Sequence, residues 1–252
     1  MTSHRLRAFV PLKWFILAVQ FATIVPTPQV SDVTDRDMRY SMMFLPAVGL
    51  CLGAVLWALQ IALQKHLPAL SRTMVSFTVY TILSGALHLD GLMDTADALG
   101  SRRPRDQALA IMKDSRVGAM GVVAGTLTIL GKFVAISSLS TAHAAPFLIV
   151  PMVSRLGILW SMVLAPCARP DGLGALFAKK IPAWVIIVAT LSCAAICAGL
   201  LPLQRNLEVL IYFFVIVIGF TTWMKIRFGG TTGDTYGALP EVLEWVGWIV
   251  FS

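Results

Sequence analysis

The chain has 252 residues and a net charge of +7, with 57% hydrophobic and only 13% charged residues. This composition excludes an ordinary soluble globular domain, in which about 25% of the residues are charged. Several apolar runs reach the ~20 residues that span a bilayer, so the sequence predicts an all-α polytopic membrane protein. The positive charge does not indicate nucleic acid, because basic residues collect in the cytoplasmic loops of membrane proteins.

The N-terminal apolar run covers residues 14–25, is short for a complete span, and is ended by Pro26 and Pro28. No small-residue cleavage site follows it, so we expect no removed signal peptide. If the run crossed the membrane, the basic residues before it would lie outside, against the positive-inside bias. We therefore predict a re-entrant or interfacial segment. These basic residues are Arg5, Arg7 and Lys13.

Six later runs are long and apolar enough to be predicted as full spans of a single membrane domain. A short amphipathic segment at 241–251 is predicted to end the chain. The predicted spans cover residues 41–63, 73–87, 117–139, 145–165, 181–203 and 207–224.

The polar loops near 26–40, 88–116, 166–180 and 225–240 fall on one side when these spans alternate. That side then carries fifteen of the twenty lysines and arginines, so we predict that it is cytoplasmic. It also carries twelve of the thirteen acidic residues. Polar residues gathered at one end of a bundle indicate an interfacial active site rather than a path through the membrane.

The longest polar interruption, residues 87–116, holds five of the thirteen acidic residues. If it begins as a helix, Asp90, Asp94 and Asp97 share one face, because they are spaced i, i+4 and i+7. Such carboxylates repel: two of them about 4 Å apart cost roughly 4 kcal/mol at an effective dielectric near 20. They are also the ligands that Mg²⁺ prefers, so the spacing favours a magnesium site. The alternative is a solvated loop with ordinary ion pairs.

Two basic residues fall inside predicted spans, Arg155 near the middle of one and Lys132 in another. A guanidinium at the centre of a bilayer costs roughly 2.5–3.5 kcal/mol, so Arg155 should face a partner or a polar cavity. A structural ion pair and a substrate contact both satisfy this expectation.

The loop at 225–240 is rich in glycine and threonine. Exposed backbone N–H groups and hydroxyls of such a loop can surround phosphate oxygens, while Asp234 can join a metal shell. The loop lacks the lysine ending of a P-loop, and a plain flexible turn is the alternative. The residues concerned are Gly229, Gly230, Thr231, Thr232, Gly233, Thr235 and Gly237.

Four motifs, taken in order, resemble the cobalamin-5'-phosphate synthase family, the adenosylcobinamide-GDP ribazoletransferases. They read HLDGLMDTADALG at 88–100, MKDSRVGAMG at 112–121, ARPDGLG at 168–174 and GGTTGDTYGAL at 229–239. The resemblance extends over nearly the whole chain. It implies an enzyme of the bacterial inner membrane with a site facing the cytoplasm. In the implied reaction, a hydroxyl of α-ribazole, or of its 5'-phosphate, attacks the corrinoid-side phosphate of adenosylcobinamide-GDP, GMP leaves, and Mg²⁺ is required.

The chain departs from the family pattern at a few positions. Ala86 stands where the second of two paired glycines is usual, and Met93 and Ala98 replace smaller residues. Ile24 occupies a place where the family often carries an arginine, which removes one expected phosphate contact. All the acidic positions of the motifs are retained.

The resemblance and the residue chemistry together imply roles for individual side chains. Mg²⁺ is predicted to bind Asp90, Asp94, Asp97 and Asp234. The predicted catalytic residues are Asp97, Asp114 (a further ligand or the base), and Lys113 and Arg116 at the pyrophosphate. The predicted substrate-binding residues are His88, Arg155, Arg169, Gly229, Gly230, Thr232 and Gly233. The predicted contacts of the loop with anionic lipid involve Arg102, Arg103 and Arg105.

Two other functions remain as alternatives at this stage. A CDP-alcohol-type phosphotransferase also uses aspartates and Mg²⁺, but its motif has glycine after the second aspartate, whereas here Gly91 follows the first. A transporter predicts polar residues at the midplane of several spans. The expected partners are the two substrates and the bilayer, and a homo-oligomer or contacts with other corrinoid-pathway enzymes stay open.

Overall fold

A computed structural model describes residues 10–169 and 181–252, and these form helices without a β-strand. The predicted all-α architecture is confirmed. The basic N-terminus before residue 10 and most of the predicted loop at 166–180 lie outside the described residues. The helices are α1 (Val10–Ala22), α2 (Asp35–Ser41), a 3-10 turn (Met42–Phe44), α3 (Leu45–Leu63), α4 (Ala69–Leu83), α5 (Leu87–Gly100), α6 (Arg105–Ile111), α7 (Ala119–Ser138), α8 (Ala145–Leu164), α9 (Ala183–Leu200), α10 (Leu203–Phe228) and α11 (Gly233–Phe251).

Five helical segments in the described chain are long and apolar enough to cross a membrane: α2–α3 taken together, α7, α8, α9 and α10. The polytopic character is therefore confirmed, while the number differs from the six predicted spans. The difference lies at residues 73–87, where α4 has only 15 residues. The N-terminal run forms the short apolar helix α1, with 13 residues.

Helix α8 is the central element of the bundle. Most of its residues are buried, and it contacts α3, α9, α10 and α11. Its crossing with α3 depends on Gly49 and Gly53, where an added Cβ would overlap the backbone carbonyl oxygens of Pro151 and Phe147. Small residues at such positions let two helix backbones come close together, as is common in membrane bundles.

The chain breaks between α4 and α5 at a depth well inside the bundle. Tyr80, in the last turn of α4, donates a hydrogen bond to Glu244 and accepts one from Arg155, which lies near the middle of α8. The turn that follows has left-handed backbone at Gly85 (φ +62°) and Ala86 (φ +51°). The acidic helix α5 therefore begins among the other helices and does not start in a surface loop.

The C-terminal part differs most from the sequence-based prediction. The residues expected as a loop up to 240 and a short amphipathic segment after it form one helix, α11, beginning at Gly233. Thr232 and Thr235 form a capping box that starts the helix, and Pro240 lies inside it. The helix is an internal element, because it contacts α5, α7, α8 and α10.

The two basic residues predicted within spans are both paired with acids of α11. Lys132 donates to Glu241 and Glu244 at 2.6 Å each, and Arg155 forms an ion pair with Glu244. The expectation that Arg155 faces a partner is confirmed. Glu241 and Glu244, expected among the acids on the cytoplasmic side, belong instead to the buried part of the bundle, because buried cations require counter-charges.

The α3–α8 crossing yields a stability prediction. Gly53→Ala should lower the melting temperature of the purified protein, because the new methyl group would overlap the Phe147 carbonyl and the backbone cannot yield locally. The matched control is Gly219→Ala in α10, where an added Cβ meets nothing within 4 Å. Thermal unfolding in detergent should show a loss of about 1–3 kcal/mol for Gly53→Ala and no loss for the control. Equal melting temperatures would contradict the close crossing.

Candidate functional site

The acidic helix α5 and the first turns of α11 approach closely at two glycines. A Cβ on Gly91 would lie 2.6 Å from the Asp234 carbonyl oxygen, and one on Gly237 would lie 3.4 Å from the His88 Cα. This contact brings Asp234 to the side of α5 that carries the aspartates. Residues 90–97 lie within α5, so the helical spacing on which the shared aspartate face depends is present.

The carboxylates of this region influence one another. Burial, followed by the negative charges of Asp90, Asp234 and Asp97, raises the pKa of Asp94 to about 6, and the positive charge of Arg169 acts in the opposite direction. Burial also raises the pKa of Asp234. The structure thus brings the predicted metal-binding aspartates into one electrostatic group that carries an excess of negative charge.

Arg169 is the basic residue that contacts this group directly. Its guanidinium donates to the Asp234 carboxylate at 3.3 Å and to the Leu109 carbonyl oxygen at 2.7 Å. Asp234 also accepts from Thr232, at 3.4 Å. The structure therefore places Arg169, predicted to bind substrate, beside a predicted metal ligand.

Asp97 makes contacts that the sequence did not reveal. Its two carboxylate oxygens accept the backbone N–H groups of Gly118 and Gly121, each at 2.7 Å, at the beginning of α7. A side chain on either glycine would overlap the carboxylate. Asp97 therefore caps α7 and fastens α5 to it. Its assignment as a metal ligand stays a prediction, because these contacts leave further lone pairs on both oxygens.

A cavity of about 290 Å³ opens between the end of α5, α6 and the start of α7, and its wall includes Asp97, Asp114 and Arg116. The structure therefore brings three of the predicted catalytic residues to one cavity. The guanidinium and backbone N–H of Arg116 bond to the Asp114 carboxylate and hold its pKa near 2. Such a weakly basic carboxylate is a poor proton acceptor at neutral pH. Lys113 is exposed beside this pair.

The glycine- and threonine-rich segment is a packed connection and not an open loop. A Cβ on Gly230 would overlap the Pro166 carbonyl oxygen, and Gly229 lies against the Arg105 guanidinium. The N–H of Thr231 donates to the Pro166 carbonyl, and the N–H of Thr232 donates to Thr235 Oγ1. Much of its hydrogen-bonding capacity is thus used within the protein, and the phosphate contacts of Gly229, Gly230, Thr232 and Gly233 stay predictions.

His88 and Arg155 are both buried, with 4% and 2% of their surfaces exposed. Within the described part of the chain, neither ring nitrogen of His88 has a hydrogen-bond partner. Arg155 donates to Tyr80 and Ser154 at 3.0 Å in addition to its ion pair with Glu244. Their substrate-binding roles remain predictions, and the contacts of Arg155 are those of an internal structural pair.

The aspartate group fits a magnesium ion that binds together with a substrate. Among residues 10–169 and 181–252, no three His, Cys, Asp or Glu side chains are grouped closely enough to hold a metal by themselves. Mg²⁺, however, commonly binds through one or two carboxylates plus substrate phosphates and water. Asp90, Asp94 and Asp234 supply the right donor chemistry, and the raised pKa of Asp94 reflects its burial first and then the negative charge of the neighbouring aspartates.

The sequence-based analysis missed Glu244 and Tyr80, which bond Arg155 inside the bundle. A signal for the acids was present, because Glu241 and Glu244 lie on an otherwise apolar segment while Lys132 and Arg155 lie in spans and need counter-charges. No comparable signal marked Tyr80.

These features define an α-helical membrane protein with a polar site of clustered aspartates where α5 meets α11. Residues 14–252 match the family model described as cobalamin-5-phosphate synthase. An adenosylcobinamide-GDP ribazoletransferase of Pseudomonas fluorescens (strain Pf0-1) is 37% identical over 233 residues, covering 90% of this chain and 94% of the relative. One of Geotalea daltonii is 33% identical and covers 92% and 94%. The chain therefore belongs to the cobalamin-5-phosphate synthase family. No solved structure matches it.

The capping role of Asp97 can be tested by Asp97→Ala. The change leaves two backbone N–H groups of α7 without their acceptors, so the free energy of unfolding should fall by about 1–3 kcal/mol. Asp106→Ala is the control, because that carboxylate is exposed and forms its ion pair with the adjacent Arg105. Thermal unfolding in detergent should separate the two variants, and coinciding curves would contradict the cap.

The crowded carboxylates predict an unusual pH dependence for Asp94→Asn without divalent cations. The folded pKa of about 6 exceeds the ordinary value of 3.8, so ionisation of Asp94 opposes folding as the pH rises through this range. The variant should therefore melt at a higher temperature than the parent above about pH 6 and converge with it near pH 4.

Melting curves measured in chelator across this range check the prediction. Asp106→Asn serves as the control, because its exposed carboxylate lies away from the aspartate group, and its difference from the parent should not follow the same profile. A difference for Asp94→Asn that stays constant with pH would contradict the arrangement.

Proposed function

We propose that this protein is an adenosylcobinamide-GDP ribazoletransferase that requires Mg²⁺ and acts at the cytoplasmic face of the bacterial inner membrane. The names of its relatives support the reaction. The observation that carries the residue assignment is the approach of Asp234 to the aspartate face of α5. In the reaction, a hydroxyl oxygen of α-ribazole, or of its 5'-phosphate, forms a bond to the corrinoid-side phosphorus of adenosylcobinamide-GDP. The bond from that phosphorus to the oxygen shared with GMP breaks, and GMP leaves.

The residues present suit a transfer that depends mainly on positioning and charge neutralisation. Asp90, Asp94 and Asp234 would hold Mg²⁺, which supplies electrophilic stabilisation to the diphosphate oxygens when bound. Arg169 lies beside Asp234 and is placed to donate to the same anionic groups. Arg116, in the wall of the neighbouring cavity, and the exposed Lys113 would supply positive charge to the pyrophosphate.

The hydroxyl proton must pass to a base when the new phosphorus–oxygen bond forms. Asp114 is the residue proposed as this base or as a further metal ligand, and the Arg116 contacts that hold its pKa near 2 make it a weak proton acceptor. The ionised Asp114 carboxylate also accepts hydrogen bonds from the Arg116 guanidinium.

The activity test incubates purified protein with adenosylcobinamide-GDP and α-ribazole, with and without Mg²⁺, and measures the release of GMP. We expect release only with the metal, and a loss of at least about 100-fold for Asp94→Asn, because that variant loses a proposed metal donor. Asp106→Asn is the matched control and should keep parental turnover. Parental activity of Asp94→Asn would refute its role, and absence of GMP release by the parent protein would refute the proposed reaction.

A further inference from the structure

The carboxylate of Glu244, in the interior of the bundle, connects α11 to three other helices. Glu244 of α11 is 1% exposed. It accepts hydrogen bonds from Tyr80 of α4, Lys132 of α7 (2.6 Å) and Arg155 of α8, with Ser154 of α8 at 3.4 Å. The donors belong to α4, α7 and α8, and α7 also contacts the acidic helix α5.

The buried charges of this group balance. Lys132 and Arg155 carry the positive charges, and Glu241 and Glu244 carry the negative charges, with Lys132 bonded to both acids at 2.6 Å. Removing one member leaves an uncompensated buried charge, which strongly destabilises a folded protein. The helices are therefore held in the one relative arrangement that satisfies all four groups.

This arrangement determines where the first turn of α11 lies. Glu244 and Asp234 belong to the same helix, separated by about 15 Å at a rise of 1.5 Å per residue. Because a helix transmits translation and rotation along its axis, a shift at Glu244 moves Asp234 against α5. At the Gly91 and Gly237 contact the two backbones have no room to absorb such a shift.

We propose that Glu244 is a positioning residue for the active site. Its bonds to Tyr80, Lys132 and Arg155 fix the position of α11 along the helix axis and its rotation about that axis. They thereby determine where Asp234 lies relative to Asp90 and Asp94. The part of this inference that concerns turnover rests on the proposed function, whereas the part that concerns the placement of α11 does not. A purely stabilising role would instead lower the amount of folded protein and leave the folded enzyme unchanged.

The test compares three variants that change little in shape. Glu244→Gln removes the charge, Tyr80→Phe removes one donor to Glu244, and Tyr212→Phe removes a buried hydroxyl that has no hydrogen-bond partner in the described residues. Each is isolated as a monodisperse peak. The measurements are kcat, KM for adenosylcobinamide-GDP, the Mg²⁺ concentration for half-activation, and amide hydrogen exchange over residues 232–238.

For Glu244→Gln we expect kcat to fall by at least about tenfold per folded molecule and the half-activating Mg²⁺ concentration to rise. Exchange over residues 232–238 should become faster, because α11 loses its fixed position. Tyr80→Phe should change the same quantities in the same direction by a smaller amount. Tyr212→Phe should match the parent in all of them.

If Glu244→Gln folds poorly, a double variant tests the same role of Glu244. Lys132→Met combined with Glu244→Gln restores the balance of one cation and one carboxylate. It should recover folding, yet retain the altered half-activation by Mg²⁺ and the fast exchange, because α11 still lacks its contacts through Glu244. Parental half-activation and parental exchange in this double variant would overturn the proposal, as would a Glu244→Gln enzyme with parental kcat and exchange.

The exchange measurement separates this inference from the proposed function. If the parent released no GMP while Glu244→Gln still loosened residues 232–238, the transferase assignment would fail and the control of α11 would stand. If the parent were active and exchange stayed unchanged in every variant, the positioning role alone would fail.

Discussion

The close approach of α5 and α11 at Gly91 and Gly237 is the constraint on which the site depends. Neither position has a side chain, so the two backbones meet directly, and Asp234 is brought to the aspartates of α5. Each helix is fixed by a carboxylate of its own: Asp97 fastens α5 to the start of α7, and Glu244 fastens α11 to the interior. Acidic residues thus serve as structural connections on both sides of the candidate metal site.

The balance of positive and negative charge differs between the interior of the bundle and the aspartate group. Inside the bundle, Lys132 and Arg155 are matched by Glu241 and Glu244, as low dielectric requires. Near the site, the aspartates are in excess, with Arg169 as the basic residue that lowers the pKa of Asp94. An anionic diphosphate would be repelled by such a surface. The imbalance therefore suits a substrate that arrives with a divalent cation, which attracts both the carboxylates and the phosphates.

Much of the architecture could be predicted from sequence because long apolar runs have few alternatives to helices in a membrane. The shared face of Asp90, Asp94 and Asp97 followed from helical periodicity, and the need of Arg155 for a partner followed from the cost of a buried charge. Local spacing could not identify that partner, since Glu244 is distant in sequence and its segment was expected at the surface. The contact of Asp97 with α7 likewise depends on a tertiary crossing that two glycines allow.

The segment after Phe228 shows why a local pattern can mislead. Glycines, threonines and Pro240 together favour a loop, since proline removes a helical hydrogen bond and glycine costs conformational entropy. Tertiary packing outweighs both effects here: the capping box of Thr232 and Thr235 starts α11, and the ion pairs of Glu241 and Glu244 hold its middle. The sequence of α11 thus has a weak intrinsic preference for the helical conformation, and contacts with other helices stabilise it.

The break between α4 and α5 gives a physical reason for locating this chemistry in a membrane protein. Because Tyr80 at the end of α4 reaches Arg155 in the middle of α8, α5 starts against the interior of the bundle, where Asp94 is partly buried while Asp90 is exposed. Burial is the largest cause of the raised pKa of Asp94. The same loss of water that disfavours an isolated carboxylate strengthens its attraction to a cation, since Coulomb energies grow as the effective dielectric falls. Under the proposed function, the partial burial of Asp94 would strengthen its attraction to a metal-bound diphosphate relative to that of a fully solvated carboxylate.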